Sequence, residues 1–117
     1  MAKKSTKQEF MLLCRGGADM VDMPPAQQKE VMGAWFAWMG ALEKRGHFQG
    51  GAPLDDTGSV VSGRQGGTVK PFADSRLAVG GYILIQAKNL PEATKLAKGC
   101  PILERNGSVE VRPIRAM

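Results

Sequence analysis

The strongest strand pattern in this chain is the segment Val79–Ala87, which reads VGGYILIQA. Its β-branched and aromatic residues favour a strand. Along such a strand, Ile83 and Ile85 point to one side, and Tyr82 and Gln86 point to the other. The aliphatic side suits a layer of helices, whereas the other side mixes polar and apolar groups. The segment therefore predicts a sheet whose two faces meet different surroundings.

The rest of the sequence predicts the other strands of the sheet and the helices that pack on it. Strands are predicted at residues 10–15, 46–54 and 108–114, a hairpin at residues 59–63 and 68–72, and helices at residues 24–45 and from residue 89 onward. Gly46 can close the first helix in the left-handed conformation. Asn89 and Glu92 can cap the second helix. This order predicts an α+β fold of the ferredoxin-like split βαβ type, carrying an inserted β-hairpin.

The long first helix carries an apolar stripe at helical spacing. Val31, Trp35, Trp38 and Leu42 recur every three or four residues, and Met32, Phe36 and Met39 widen the stripe on one side. We expect this whole face, including both tryptophans, to pack into the core. On the second helix, Leu90, Ala93 and Ala97 share the face expected to be buried.

Helices in this order cover one face of an antiparallel sheet and leave the other face bare. The bare face contains Tyr82 and Gln86, together with Glu110 and Arg112 of the last strand. Because an exposed face of this size with apolar residues is normally buried against a partner, the sequence predicts a homodimer formed through the sheet.

The length of 117 residues suits one domain. We expect residues 1–8 to form a flexible basic tail and residues 9–117 to form the domain. Three of the lysines that give the net charge of +5 lie in this tail, so the remainder of the chain is only slightly basic. The apolar run at residues 10–14 is too short for a signal-peptide core or a membrane span. The expectation is a cytoplasmic protein that does not bind membranes.

Several site classes lack sequence support. Cys14 and Cys100 have no second Cys or His at metal-ligand spacing, so both are interpreted as free thiols and no metal is expected. The glycine pairs form neither a GxGxxG motif nor a P-loop, and no cofactor is expected. Aromatic RNP-type strands are missing and basic residues are scattered, which argues against nucleic-acid binding. Asp55 and Asp56 are interpreted as a solvated turn.

The candidate catalytic residues are Asp74, His47 and Glu110, and the candidate ligand-binding residues are Arg76, Tyr82 and Arg112. His47 is the only histidine, and an acid–base role that needs a group of near-neutral pKa falls first on this residue type. Its alternative is a surface side chain or a charge capping the preceding helix. For Asp74 and Arg76 the alternative is a hydrogen-bonded pair that orders a loop. For Glu110 and Arg112 it is a cross-sheet or intersubunit ion pair.

Taken together, these segments resemble one protein family over residues 9–115. The most specific are residues 79–83 (VGGYI) and 107–114 (GSVEVRPI), and residues 10–14 (FMLLC), 50–54 (GGAPL), 71–74 (PFAD) and 96–101 (LAKGCP) occur in the same order. They resemble the YCII-related (DGPF-domain) family. The resemblance implies a ferredoxin-like subunit that pairs into a dimeric α/β barrel.

The same resemblance implies little about chemistry. Most family members have no assigned activity, relatives include a dehydrochlorinase of chlorinated hydroxyhydroquinones, and a His–Asp pair has been suggested as the site in one branch. Here Val69-Lys70-Pro71-Phe72 stands where the family has Asp-Gly-Pro-Phe, the next acidic position is replaced near Leu77, and the early helix has no histidine.

Two functional hypotheses follow. In the first, the homodimer binds a small organic acid or aromatic molecule in a cleft of the barrel, with lyase- or isomerase-type chemistry as the possible reaction. Arg112, Arg76 and Tyr82 then hold the ligand, and Asp74, Glu110 or His47 move protons. In the alternative, the chain is a non-enzymatic structural or regulatory interaction module, and Glu110 and Arg112 form an interface pair.

Overall fold

The computed structural model describes residues 7–16, 23–55, 57–71 and 78–116. The strands are β1 (Gln8–Arg15), β2 (Phe48–Pro53), β3 (Ser59–Ser62), β4 (Thr68–Pro71), β5 (Val79–Ala87) and β6 (Ser108–Pro113). The helices are α1 (Pro25–Lys44) and α2 (Leu90–Ala97), and short 3-10 helices span Arg64–Gly66 and Pro101–Arg105. The predicted order of elements is confirmed.

The main sheet has four antiparallel strands in the order β2-β5-β1-β6. The two central strands are thus β1 and β5, and the chain reaches each edge strand after a helix. This is the α+β topology expected of a ferredoxin-like subunit, and it confirms the predicted fold class. β6, which contains Pro113, lies at an edge, where a residue without an N–H group is tolerated.

The inserted hairpin forms a second, two-stranded sheet from β3 and β4. In it, Val60, Val61 and Val69 are exposed. Within the described part of the chain, β3 and β4 pair only with each other, as expected of an arm inserted into the sheet topology.

The core lies between the sheet and the two helices. Its fully buried side chains include Phe10 and Leu12 of β1 and Ile85 of β5. Leu42 of α1 and Ala93 of α2 cover them. The aliphatic side of the sheet therefore faces the helices, as predicted. In the described ranges, no helix is long and apolar enough to cross a membrane.

The apolar stripe of α1 is only partly buried, which corrects the prediction. Trp35, Trp38 and Met39 are half-buried, and Met32 and Phe36 are 39% and 62% exposed. Met32 and Phe36 each follow a stripe residue by one position, and a step of about 100° around the helix turns them towards solvent. The prediction that Leu90 is buried was also wrong, since it is 44% exposed at the first position of α2.

The turn after α1 fixes how the chain enters β2. Gly46 has a φ of +79°, and its N–H donates to the carbonyl oxygen of Glu43 at 3.0 Å. The N–H of His47 donates to the carbonyl oxygen of Leu42 at 2.8 Å. These two bonds form the motif that ends a helix on a left-handed glycine, so the role predicted for Gly46 is confirmed. His47 is consequently turned back towards the sheet.

The predicted cap of α2 is also present. The side chain of Asn89 accepts a hydrogen bond from the N–H of Glu92 at 3.0 Å, and the carboxylate of Glu92 accepts one from the N–H of Lys88 at 2.7 Å. The bond from Lys88 is the main reason that the pKa of Glu92 is lowered. These two bonds therefore fix the start of α2 directly after β5.

Candidate functional site

The face of the sheet that points away from the helices carries the predicted mixture of side chains. Leu13 of β1 lies opposite Tyr82 of β5 on one side and Glu110 of β6 on the other. In the next row, Met11 lies between Leu84 and Arg112. All of these side chains except the exposed Arg112 are half-buried. We call this surface the open face, and its predicted composition is confirmed.

Glu110 is held by two arginines on the open face. Its carboxylate forms ion pairs with Arg15 and, at 3.1 Å, with Arg112. Hydrogen bonding from Arg15, and secondarily from Arg112, lowers the pKa of Glu110. At neutral pH this group is therefore an ionised carboxylate that positions two guanidinium groups. Arg15 was not among the predicted residues, although its alternation with Leu13 and Met11 in the first strand places it on this face.

His47 is buried, with 8% of its surface exposed. Its Nδ1 lies 2.8 Å from the carbonyl oxygen of Gln86, and because a carbonyl only accepts, Nδ1 is the donor. The side chain of Gln86 in turn donates to the carbonyl oxygen of Gly46 at 2.9 Å. The interpretation of His47 as a surface side chain was therefore wrong, and the residue anchors the start of β2 to β5.

The structure does not bring all of the predicted residues together. His47 precedes edge strand β2, and Glu110 lies on the opposite edge strand, roughly 14 Å away across three strand spacings and a further four residues away along the strands. Tyr82 and Arg112 share the open face but lie in different rows, on strands separated by β1. Asp74 and Arg76 lie outside the described residues, as does Asp56, whereas Asp55 is exposed.

A cleft of about 360 Å³ lies on the other side of the sheet, beneath the first half of α1. We call it the α1 cleft. Three structural groups line it: residues of α1, the glycine-rich ends of β2 and β5, and residues of β1 and the second 3-10 helix. They are Val31, Met32, Trp35, Met39, Gly51, Ala52, Pro53, Gly80, Gly81, Tyr82, Ile83, Cys14, Gly16, Ile102 and Arg105.

The residues that line the α1 cleft are mostly apolar side chains and glycines. Arg105 is the only charged side chain among the described lining residues. Trp35 contributes an aromatic ring from α1, and its ring meets that of Trp38 edge to face at a centroid distance of 5.8 Å. Such a surface suits a small, largely apolar molecule with one anionic group. Sequence reasoning placed the ligand on the open face and missed this cleft.

At Gly51 of β2 the α1 cleft is lined by backbone, because β2 approaches β5 too closely there for a side chain. The φ of Gly51 is +155°, and a Cβ atom there would lie 3.0 Å from the Cα of Ile83 and even closer to the carbonyl oxygen of Tyr82. A side chain at this position would push β2 away from β5. Two glycines within a predicted strand indicate a bulge or a close backbone approach, and the close approach is present at Gly51.

Comparisons with known proteins agree with this description. A sequence model of the YCII-related domain matches residues 8–117. Comparison with curated proteins gives no match. One similar solved structure is 5-chloro-2-hydroxyhydroquinone dehydrochlorinase from Burkholderia phenoliruptrix AC1100 in complex with 2,5-dihydroxybenzoquinone. It is 15% identical, has a TM-score of 0.50, and the match covers 92% of this chain and 95% of that one. Because the family match spans nearly the whole chain, the protein belongs to the YCII-related family.

Proposed function

We propose that this protein binds a small, planar, anionic aromatic or quinone-like molecule in the α1 cleft, and that it does so as a homodimer joined through the open faces. The observation that carries the proposal is the cleft itself. Its volume of about 360 Å³ lies at the lower end of the range for small-molecule sites, roughly 300–1,000 Å³, and suits a ligand with one ring.

The chemistry of the lining supports this ligand class. The aliphatic side chains of Val31 and Ile83 and the ring of Trp35 offer apolar contact to a flat molecule. Arg105 is half-buried and can form charge-assisted hydrogen bonds to a phenolate, enolate or carboxylate. A neutral polar ligand would gain little from such a lining.

The solved structure of the similar dehydrochlorinase supports the same class. That protein is described in complex with 2,5-dihydroxybenzoquinone, a six-membered ring with acidic hydroxyl groups. Its fold matches this chain over 92% of the length. We infer that a ligand of comparable size and charge fits the α1 cleft.

A reaction in the α1 cleft requires a group that moves protons. No carboxylate or imidazole lines the cleft among the residues that the structure describes. Glu110 is ionised and lies on the open face, and His47 precedes β2 and is not among the residues that line the cleft. Of the three candidates predicted from the sequence this leaves Asp74, which lies outside the described residues. We propose Asp74 for proton transfer, and lyase- or isomerase-type chemistry at an acidic ring position as the reaction class.

The homodimer is supported by the open face. Met11, Leu13, Tyr82 and Leu84 form a continuous apolar surface across the two central strands. No described helix covers this side of the sheet, because both helices pack on the opposite side. A second copy can cover it with the same residues. In such a dimer Arg112 and the ring of Tyr82 lie between the two sheets, so the ligand roles expected for them from the sequence apply to a ligand held between the sheets and not to one in the α1 cleft.

Substitution of Arg105 distinguishes the α1 cleft from the space between the sheets. We expect Arg105→Ala to weaken binding of 2,5-dihydroxybenzoquinone roughly ten- to a hundredfold, since a hydrogen bond to a charged group contributes about 1.5–3 kcal/mol and about 1.4 kcal/mol corresponds to a factor of ten. Arg112→Ala is the matched control, and its dissociation constant should stay within about twofold of the wild-type value. Isothermal titration calorimetry measures both.

The opposite pattern contradicts the proposed location. If Arg112→Ala loses binding and Arg105→Ala retains it, the ligand occupies the space between the sheets. If neither variant nor the wild type binds at millimolar ligand, the chain does not bind this ligand class. Circular dichroism and thermal melting of both variants show whether the fold is retained.

A further inference from the structure

The β3–β4 hairpin buries none of its strand residues. We call this hairpin, residues 59–71, the arm. All four residues of each of its strands are exposed. Val61 and Val69 lie directly opposite each other, so their side chains share one face of the arm, and they are 61% and 63% exposed. A two-stranded hairpin that packs against nothing else is only marginally stable in water, so a stable arm needs a surface that covers this face.

The arm extends from one end of the main sheet. It is inserted between β2 and β5, which are neighbours in that sheet, so both ends of the arm leave from the same end of the sheet. The longest dimension of the structure is 49 Å and its radius of gyration is 16.5 Å, whereas a compact domain of this length has a radius of gyration of roughly 13 Å. This extended shape allows the arm to reach a neighbouring molecule while the main sheet stays unchanged.

The open face alone is small for a stable dimer. Its four strands contain between 6 and 9 residues each. At roughly 4.8 Å between strands and roughly 3.3 Å per residue, they cover an area of roughly 400–550 Å². A stable interface buries roughly 800 Å² of each partner. A second contact region is therefore needed in the proposed homodimer.

Among the described residues, exposed large apolar side chains that are close in the chain occur on α1 and on the arm. Those of α1, Met32 and Phe36, lie on the opposite side of the sheet from the open face and cannot extend the same interface. Those of the arm are Val60, Val61 and Val69. The arm is therefore the apolar surface that can supply the missing contact area.

We propose that, in the homodimer, the arm of each subunit packs its Val61–Val69 face against the second copy, next to the contact between the open faces. This inference rests on the proposed homodimer and adds a second contact region to it. Because a two-fold dimer contains every contact twice, each subunit contributes one arm and receives one. The two valines are then shielded from water, and the arm gains the neighbour that an isolated hairpin lacks.

Val61→Lys tests the proposal, and Val60→Lys is the matched control. Val60 lies directly opposite Lys70, so its side chain is on the other face of the arm, where a lysine is already present. A lysine at position 61 is solvated in a free subunit, but in the proposed dimer it would be an unpaired buried charge. In sedimentation equilibrium the dimer dissociation constant should rise at least about tenfold for Val61→Lys and stay within about twofold of the wild-type value for Val60→Lys.

Two further measurements accompany this test. Because Val60, Val61 and Val69 are all exposed, circular dichroism should show a native fold for every lysine variant, and Val69→Lys should weaken the dimer as Val61→Lys does. In hydrogen exchange of the wild type, the backbone N–H groups of the arm should be protected at concentrations that favour the dimer and lose this protection on dilution to the monomer. The N–H groups in the middle of α1 should exchange equally at both concentrations.

The outcomes separate the arm from the homodimer itself. If the wild type is a dimer and neither Val61→Lys nor Val69→Lys weakens it, the role of the arm is wrong and the proposed homodimer stands. If the wild type is a monomer, the homodimer is wrong and the arm proposal is overturned with it. If Val61→Lys weakens binding of 2,5-dihydroxybenzoquinone but leaves the dimer intact, the arm covers the α1 cleft of its own subunit, which contradicts the proposal.

Discussion

Leu84→Lys is expected to convert the proposed homodimer into a folded monomer. Leu84 lies on central strand β5, between Gly50 and Met11, and points to the open face. A lysine there remains solvated in a free subunit, but in the proposed dimer it would be buried between two apolar surfaces. Burying an unpaired charge costs several kcal/mol, and each 1.4 kcal/mol is a factor of ten. We expect the dimer dissociation constant to rise at least about a hundredfold, as measured by sedimentation equilibrium.

The neighbouring residue provides the control for this prediction. Ile85 is fully buried on the helix side of the same strand. Ile85→Lys should therefore unfold the subunit, whereas Leu84→Lys should retain a native circular dichroism spectrum. A second control, Thr94→Lys on the exposed side of α2, should leave the dimer intact. If Leu84→Lys still sediments as a dimer, the open face is not the interface.

Gly51→Ala is expected to destabilise the protein by about 2–6 kcal/mol. Two effects add at this position. Backbone strain at the φ of +155° costs roughly 1–3 kcal/mol. Crowding against Tyr82 and Ile83 costs roughly 1–3 kcal/mol more. Urea unfolding monitored by tryptophan fluorescence measures the change in the free energy of unfolding.

Two other glycines separate strain from crowding. Gly50 has a φ of +146°, and a Cβ atom there would have no neighbour within 4 Å, so Gly50→Ala should show the strain alone. Gly40, in the middle of α1, has ordinary helical geometry and open space, so Gly40→Ala should stabilise the protein by about 0.5–1 kcal/mol. Equal losses for Gly51→Ala and Gly50→Ala would contradict the close contact with β5.

The sequence predicts the elements of this fold well because their signals are local. The limits of Val79–Ala87 agree with β5, and the cap formed by Asn89 and Glu92 begins α2 where it was expected. The alternating direction of side chains along β5 and β6 also assigns each residue to the correct face of the sheet. These patterns arise from residues that are close together in the chain. Contacts between distant segments therefore have little effect on them.

The site was harder to predict because it depends on contacts between distant segments. The α1 cleft exists because α1 stands away from β2 and β5, and no local pattern shows that gap. Arg105 belongs to a short 3-10 helix that the sequence does not signal. The Gly50-Gly51 pair was the one local indication, since it suggested a close backbone approach in β2.

Methionine methyl groups report directly on whether the ligand occupies the α1 cleft. Met32 and Met39 line that cleft, and Met11 lies on the open face. The measurement is a titration of ¹³C-methyl-methionine protein with 2,5-dihydroxybenzoquinone, followed by NMR. The resonances of Met32 and Met39 should shift and saturate together, while that of Met11 stays unchanged. A shift of Met11 with Met32 and Met39 unchanged would place the ligand between the sheets and contradict the proposed location.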